Sequence, residues 1–306
     1  MTQAGIAARG SCAMARVVVV HGIGQEFLGP ELMGRDVGPA LRDGVRLAGG
    51  PRLEPEDVAC AFYGNLYFEE GTRSLDIPPW DETDVDEGLE AELLEAWWEQ
   101  AARVDPEVLG PEAVGSRGPV GFAASRLLLS ERVRAALDAL SGSSFFAKVS
   151  DRLLIFALKQ VRRYMTEPEL RHKAQARIAE EITEETRVLV AHSLGSVVAY
   201  EALCAHPEWP VTDFVTLGSP LGMRSVVFDR LQPKPTDDVG SWPGGVERWT
   251  NIADRGDIVA LADRLAPRFG DRVQDVSVSN GVRMHDLLRY LTAPRTGRAV
   301  VRGLEG

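Results

Sequence analysis

Residues 187–205 read Arg187-Val188-Leu189-Val190-Ala191-His192-Ser193-Leu194-Gly195-Ser196-Val197-Val198-Ala199-Tyr200-Glu201-Ala202-Leu203-Cys204-Ala205. A short unbroken apolar run, Arg187 to Val190, has the form of a strand buried on both faces. The pattern from Ser196 to Ala205 is helical, so Ala191-His192-Ser193-Leu194-Gly195 is the turn between a strand and a helix. A serine at such a junction is held on a sharp, strained elbow, where its hydroxyl is presented as a nucleophile. Backbone crowds the sites two positions to either side, so both need small residues. Ala191 and Gly195 supply them, with alanine in place of the more usual first glycine. A plain structural turn is the competing reading; the flanking strand and helix favour a catalytic serine.

Other β-branched runs end in similar turns. Arg16 to Val20, with four consecutive valines, leads into His21-Gly22-Ile23-Gly24. Asp213 to Leu217 leads into Gly218-Ser219-Pro220-Leu221-Gly222, Arg248 to Ile252 into an Asp-rich turn, and Val273 to Val278 into Asn280-Gly281. Helical patterns lie between most of them, with one expected to begin over Ile258 to Leu265. Strand, turn and helix in repetition predict an α/β fold: an open, mostly parallel sheet with helices on both faces. From about Gly88 to Ile182 the pattern is helical instead. Leu89, Leu93, Trp97 and Val104 form one stripe. Leu129, Val133, Ala136, Leu137 and Leu140 form a second, capped by Gly142, and Val149, Leu153, Phe156, Ala157 and Tyr164 a third. Thr166-Glu167-Pro168-Glu169 reads as a capping box opening a helix to Ile182. The expected organisation is a core of residues 15–87 and 183–306 with a helical insert or cap at 88–182, its last helix belonging to the core.

The chain has 306 residues with 34 basic and 45 acidic side chains, a net charge of −11. Nucleic-acid backbones are gripped by clustered cations, so a nucleic-acid partner is not expected. Its three cysteines, Cys12, Cys60 and Cys204, form no CxxC pair, which argues against a disulfide framework or a thiolate metal site and suits a reducing compartment. No run reaches the 18 or so apolar residues a membrane span needs, so no stable insertion is expected and the chain reads as cytoplasmic. Residues 1–14 lack periodicity and are expected to be disordered, with Met14 an alternative start. Between Glu54 and Glu112 stand 18 acidic residues against Arg73 and Arg103, either a solvated face or a gate that repels anions. The stretch 148–165 is amphipathic and basic, through Lys148, Arg152, Lys159, Arg162 and Arg163. It packs on the sheet or makes a weak contact with a membrane surface.

A serine nucleophile needs a base, and the base a carboxylate that holds its tautomer. Of five histidines, His21 and His192 belong to turns, and His192 is expected to point away from the nucleophile. His172 falls on an exposed helix and His206 just past a helix end. His285 alone follows the last strand and leads into a helical stretch, Leu287 to Leu291. The acid belongs between Ser193 and His285 in chain order, after the penultimate strand. Asp257 is the expected acid and Asp254 the alternative, while Asp286 reads as a cap. An acyl-transfer transition state places negative charge on the carbonyl oxygen, and preorganised amides stabilise it. The N–H groups of Ile23, exposed by Gly22 and Gly24, and of Leu194 are the candidates; a phosphate-binding loop would need a further glycine or a lysine that this turn lacks.

Together, HGIG, AHSLG and the order Ser193, Asp257, His285 resemble the α/β-hydrolase superfamily, and within it bacterial lipase-like esterases. VVVVHGIGQ, VAHSLGSVVAYEAL and TLGSPLG carry the likeness, over residues 15–25, 187–223 and 247–291. The resemblance implies an α/β-hydrolase fold and a serine hydrolase that cleaves carboxylic esters of small molecules or lipids through an acyl-enzyme, with no cofactor and no metal. It does not extend to the helical insert, so the substrate stays open. An acyltransferase, thioesterase or amidase on the same triad is one alternative, and a non-catalytic hydrolase-like binding module the other.

Overall fold

The computed structural model describes residues 15–25, 27–68, 78–113, 126–143, 145–146, 149–260 and 264–306; the expectations for residues 1–14 and for Lys148 lie outside them. In chain order the elements are β1 (Val17–Val20), α1 (Pro30–Leu47), β2 (Val58–Ala61), α2 (Leu89–Val104), α3 (Arg126–Ser141), α4 (Asp151–Thr166) and α5 (Pro168–Ala179). These are followed by β3 (Val188–His192), α6 (Leu194–Ala205), β4 (Asp213–Leu217), β5 (Arg248–Asp254), α7 (Ala266–Phe269), β6 (Val273–Val278), α8 (Leu287–Thr292) and α9 (Pro294–Glu305). The strands form one sheet in the order β2-β1-β3-β4-β5-β6, every pair parallel.

The valines of β1 divide between two cores. Val18 and Val20 face the side packed by α2 to α6, while Val17 and Val19 face α1, α8 and α9. This is why the run reads as continuously apolar: both faces are covered, and β1, β3 and β4 are buried throughout. The chain leaves β1 toward β2 and returns on the other side of β1 as β3. Ligands of open α/β sheets bind outside the carboxyl ends of the strands where such a reversal occurs.

The helices α2 to α5 pack on the face that carries α6. Two buried carboxylates fasten them. Glu90 of α2, fully buried, receives Lys159 and Arg162 of α4. Glu201 of α6 receives Tyr164 of α4 (2.7 Å) together with Arg171 (2.7 Å) and Gln175 (3.2 Å) of α5. Arg163 bonds Glu167 and the Tyr67 carbonyl. Three of the cations expected on a membrane-facing surface are therefore spent inside the molecule. The acidic stretch is likewise partly matched, through Glu82 with Arg134 and Glu95 with Arg132. No helix among the described residues is long and apolar enough to cross a membrane.

Several local expectations are corrected. Among the described residues Ile258 to Ala260 form a turn, with the Asp257 carboxylate accepting from the amides of Val259 and Ala260, and the next helix is the short Ala266–Phe269. Thr166 ends α4, its hydroxyl bonding the Arg162 carbonyl, and α5 starts from Glu167 with no side-chain cap. Leu153 is part-exposed; the buried stripe of α4 runs through Leu154, Leu158, Val161 and Met165.

Candidate active site

At the end of β3 the chain reverses through Ser193, whose φ of 52° and ψ of −133° lie in sparsely populated space for a residue with a Cβ. Such a backbone costs about 1–3 kcal/mol and persists only when its surroundings impose it. Here the Ser193 amide donates to the Leu217 carbonyl of β4 (3.0 Å), and its carbonyl accepts from the Ser196 amide (2.9 Å) and hydroxyl (2.6 Å). Ser196 in turn shares a 2.6 Å bond with Ser219 beyond β4. Gly195 lies so close to β1 that a Cβ there would stand 2.0 Å from the His21 carbonyl oxygen, and Ala191 is fully buried. Leu194 opens α6. Across from it Ile23 is half-buried, with Gly22 packed on Ser193 and Gly24 exposed at φ 81°. Among the described residues neither the Ile23 nor the Leu194 amide donates to another backbone group in a turn or cap.

His285 and Asp257 meet on the same sheet edge. His285 Nδ1 donates to Asp257 Oδ2 at 2.7 Å, and the carboxylate is fully buried. Asp257 is itself fixed: Oδ1 accepts from the amides of Val259 (3.0 Å) and Ala260 (3.3 Å), and Oδ2 also accepts from the Tyr290 hydroxyl (2.8 Å). With Nδ1 carrying the hydrogen, Nε2 presents a lone pair. That nitrogen is buried and has no hydrogen-bond partner among the described residues, so the bond from Ser193 Oγ is not made here; such contacts commonly tighten only when substrate is in place. Space for the pair comes from Gly218, at φ 52°, where a Cβ would lie 2.7 Å from Asp257 Oδ2 and 3.1 Å from His285 Nδ1. Asp254 is occupied elsewhere. Its oxygens accept from the amides of Gly256 and Asn280, tying the turn after β5 to the loop that precedes His285.

The two turn histidines differ. His21 Nε2 accepts from the Tyr63 amide (3.1 Å), which leaves Nδ1 to donate to the Gly22 carbonyl (2.6 Å). Its ring stacks on Tyr63 at 4.2 Å, and burial pushes its pKa down to about 4. It is a neutral strut for the Gly22-Ile23 loop. His192, expected to point away, instead lies with its ring 4.5 Å from that of His285 and 5.8 Å from Tyr290. Burial, then the neighbouring His285, holds its pKa well below the ordinary range. His192 is the last residue of β3, and alternation along the strand places it on the face of Val188 and Val190, where Tyr290 of α8 packs. His172 is exposed on α5, and His206 pairs with Glu208 beyond α6. Asp286 caps α8.

Tyr290 and Gly218 escaped the sequence reading. Phe145 and Phe146 read from the sequence as core residues first and substrate-groove walls second; Phe145, between α3 and α4, places its ring 6.3 Å from that of His285. Burial raises the thiol pKa of Cys60 to about 12 and of Cys204 to about 11, which leaves neither a ready nucleophile. Among the described residues no cluster of His, Cys, Asp or Glu side chains is placed to hold a metal ion. Comparison with protein-family models, curated proteins and solved structures returned no match.

Proposed function

We propose that this chain is a serine hydrolase of the α/β-hydrolase kind that cleaves carboxylic esters through an acyl-enzyme. The observation that carries the reading is Ser193, strained at the β3–α6 junction, on the same sheet edge as an imidazole tethered through Nδ1 to a buried aspartate. On this reading Ser193 Oγ attacks the ester carbonyl carbon and its proton passes to His285 Nε2. Asp257 stabilises the imidazolium without itself being protonated. The carbonyl oxygen, now an oxyanion, accepts from the amides of Ile23 and Leu194, each donor of this kind contributing about 2.7–4 kcal/mol to the lowered barrier. Collapse breaks the bond to the alcohol oxygen, which takes the proton from Nε2 and leaves as the alcohol. Water then gives a proton to Nε2 and attacks the acyl-serine; collapse returns that proton to Ser193 and frees the carboxylic acid.

The test combines covalent labelling with turnover. A fluorophosphonate probe is expected to modify Ser193, and Ser193→Ala to abolish both labelling and hydrolysis of short p-nitrophenyl esters while the circular dichroism spectrum is retained. An unlabelled wild-type chain, or a fully active alanine variant, refutes the reading. An added alcohol or amine that captures the acyl group faster than water would make it an acyltransferase.

A further inference from the structure

We infer that Phe145 forms a wall of the subsite for the ester's alcohol portion, and so selects among leaving groups. This rests on the acyl-enzyme reading, because it follows from where the proton must go. During acylation His285 Nε2 protonates the departing oxygen, so the alcohol lies against whatever surrounds that imidazole. Its Nδ1 side is filled by Asp257. His192 packs at 4.5 Å between ring centroids, and Phe145 contributes the other flanking ring, at 6.3 Å and tilted 39°.

Phe145 packs against the core. The Ser143 hydroxyl donates to the Leu140 carbonyl (2.6 Å) and accepts from the Phe146 amide (3.2 Å), which fixes the turn after α3. Phe146 is buried, 5.9 Å from Trp97 of α2, and meets Phe145 edge-on at 4.8 Å. Phe145 itself is part-buried. A flat apolar ring backed by a rigid aromatic pair suits an aryl or benzyl alcohol better than a small hydrophilic one, since offset and edge-to-face ring pairs are favoured at these separations.

The experiment compares benzyl and ethyl acetate, then benzyl esters of increasing acyl length, with wild type, Phe145→Ala and Phe145→Tyr. Acetyl-Ser193 is followed by mass spectrometry of quenched reactions. Expected is a benzyl-to-ethyl ratio of kcat/KM lowered about three- to tenfold in Phe145→Ala and largely kept in Phe145→Tyr, with the order among acyl chains unchanged. A ratio that does not move in Phe145→Ala, or an alcohol preference that moves no more than the acyl preference, overturns the assignment while acetyl-Ser193 still forms. Absence of any acetyl-Ser193 in the wild type overturns the acyl-enzyme reading and this inference with it.

Discussion

Tyr290 and His285 share one oxygen of Asp257: the phenol donates to Oδ2 at 2.8 Å and the imidazole at 2.7 Å. The same hydroxyl accepts from the Asp254 amide (2.9 Å), so one side chain of α8 couples the end of β5 to the acid. Burial, then Asp257, pushes the Tyr290 pKa far above that of a free phenol, which keeps it a donor. Tyr290→Phe is expected to destabilise the fold by about 1–3 kcal/mol, because a buried amide and a carboxylate each lose a partner. Urea unfolding measures this, and pre-steady-state acylation measures the accompanying loss of order at His285.

The two aspartates after β5 separate by role. On the proposed reading, Asp257→Asn is expected to lower kcat about 10⁴-fold, because His285 would then present the wrong tautomer to Ser193. Asp254, whose carboxylate accepts among the described residues from the Gly256 and Asn280 amides, is expected on the same reading to tolerate Asp254→Asn with most turnover retained and stability lost. Steady-state kinetics of both variants decide it, and a larger loss in Asp254→Asn would reverse the roles.

Acid should weaken the fold through His21. Its folded pKa is depressed to about 4 from 6.5, so between these values the unfolded chain binds a proton that the folded chain refuses, and stability falls as pH drops through that window. At pH 4.5 the loss from this residue alone is about 2–3 kcal/mol relative to pH 7.5. Burial acts on His192 in the same direction. Unfolding free energies at the two pH values measure the drop; His21→Phe should lower stability at pH 7.5 yet flatten the decline.

At Gly218 a methyl group would meet Asp257 and His285 together, on a backbone at φ 52°. Gly218→Ala is expected to cost about 1–2 kcal/mol for the left-handed conformation alone and to cut fluorophosphonate labelling by displacing the pair. Undiminished labelling would show that the pair tolerates the displacement.

Glu201 anchors α4 and α5 to α6. Glu201→Ala strands Arg171 in a buried site and is expected to cost about 3–5 kcal/mol. Combining Glu201→Leu with Arg171→Met, which removes both charges at similar volume, should recover much of that. Chemical denaturation of the single and double variants tests the difference.

The central strands could be read because they are buried on both faces: Val17–Val20 and Asp213–Leu217 announce themselves as apolar runs that end in glycine turns. At one edge, Val273–Val278 is only partly buried and shows itself by its valines ahead of Asn280-Gly281. The edge strand Val58-Ala59-Cys60-Ala61 did not, being half-buried and poor in β-branched residues. The helix Pro30–Leu47 was hidden by Gly34, Gly38, Pro39 and Gly44; it is stabilised by packing Met33, Val37, Leu41 and Val45 against β1 and the last two helices, not by propensity. At the site, the meeting of His285 with Asp257 follows from chain order and strand ends. Tyr290 did not stand out because one tyrosine in an apolar helical stripe looks like any core residue, and only the fold brings its hydroxyl to the acid.

The register of the parallel strands has a further consequence. Gly22, Ser193, Gly218, Asp257 and His285 come together only once five strands, contributed by distant parts of the chain, have paired with their carboxyl ends level. A partly assembled or slipped sheet separates at least one of them from the rest. Covalent capture at residue 193 would then serve as a count of correctly threaded molecules, and during refolding it should rise with the last strand to dock rather than with overall collapse.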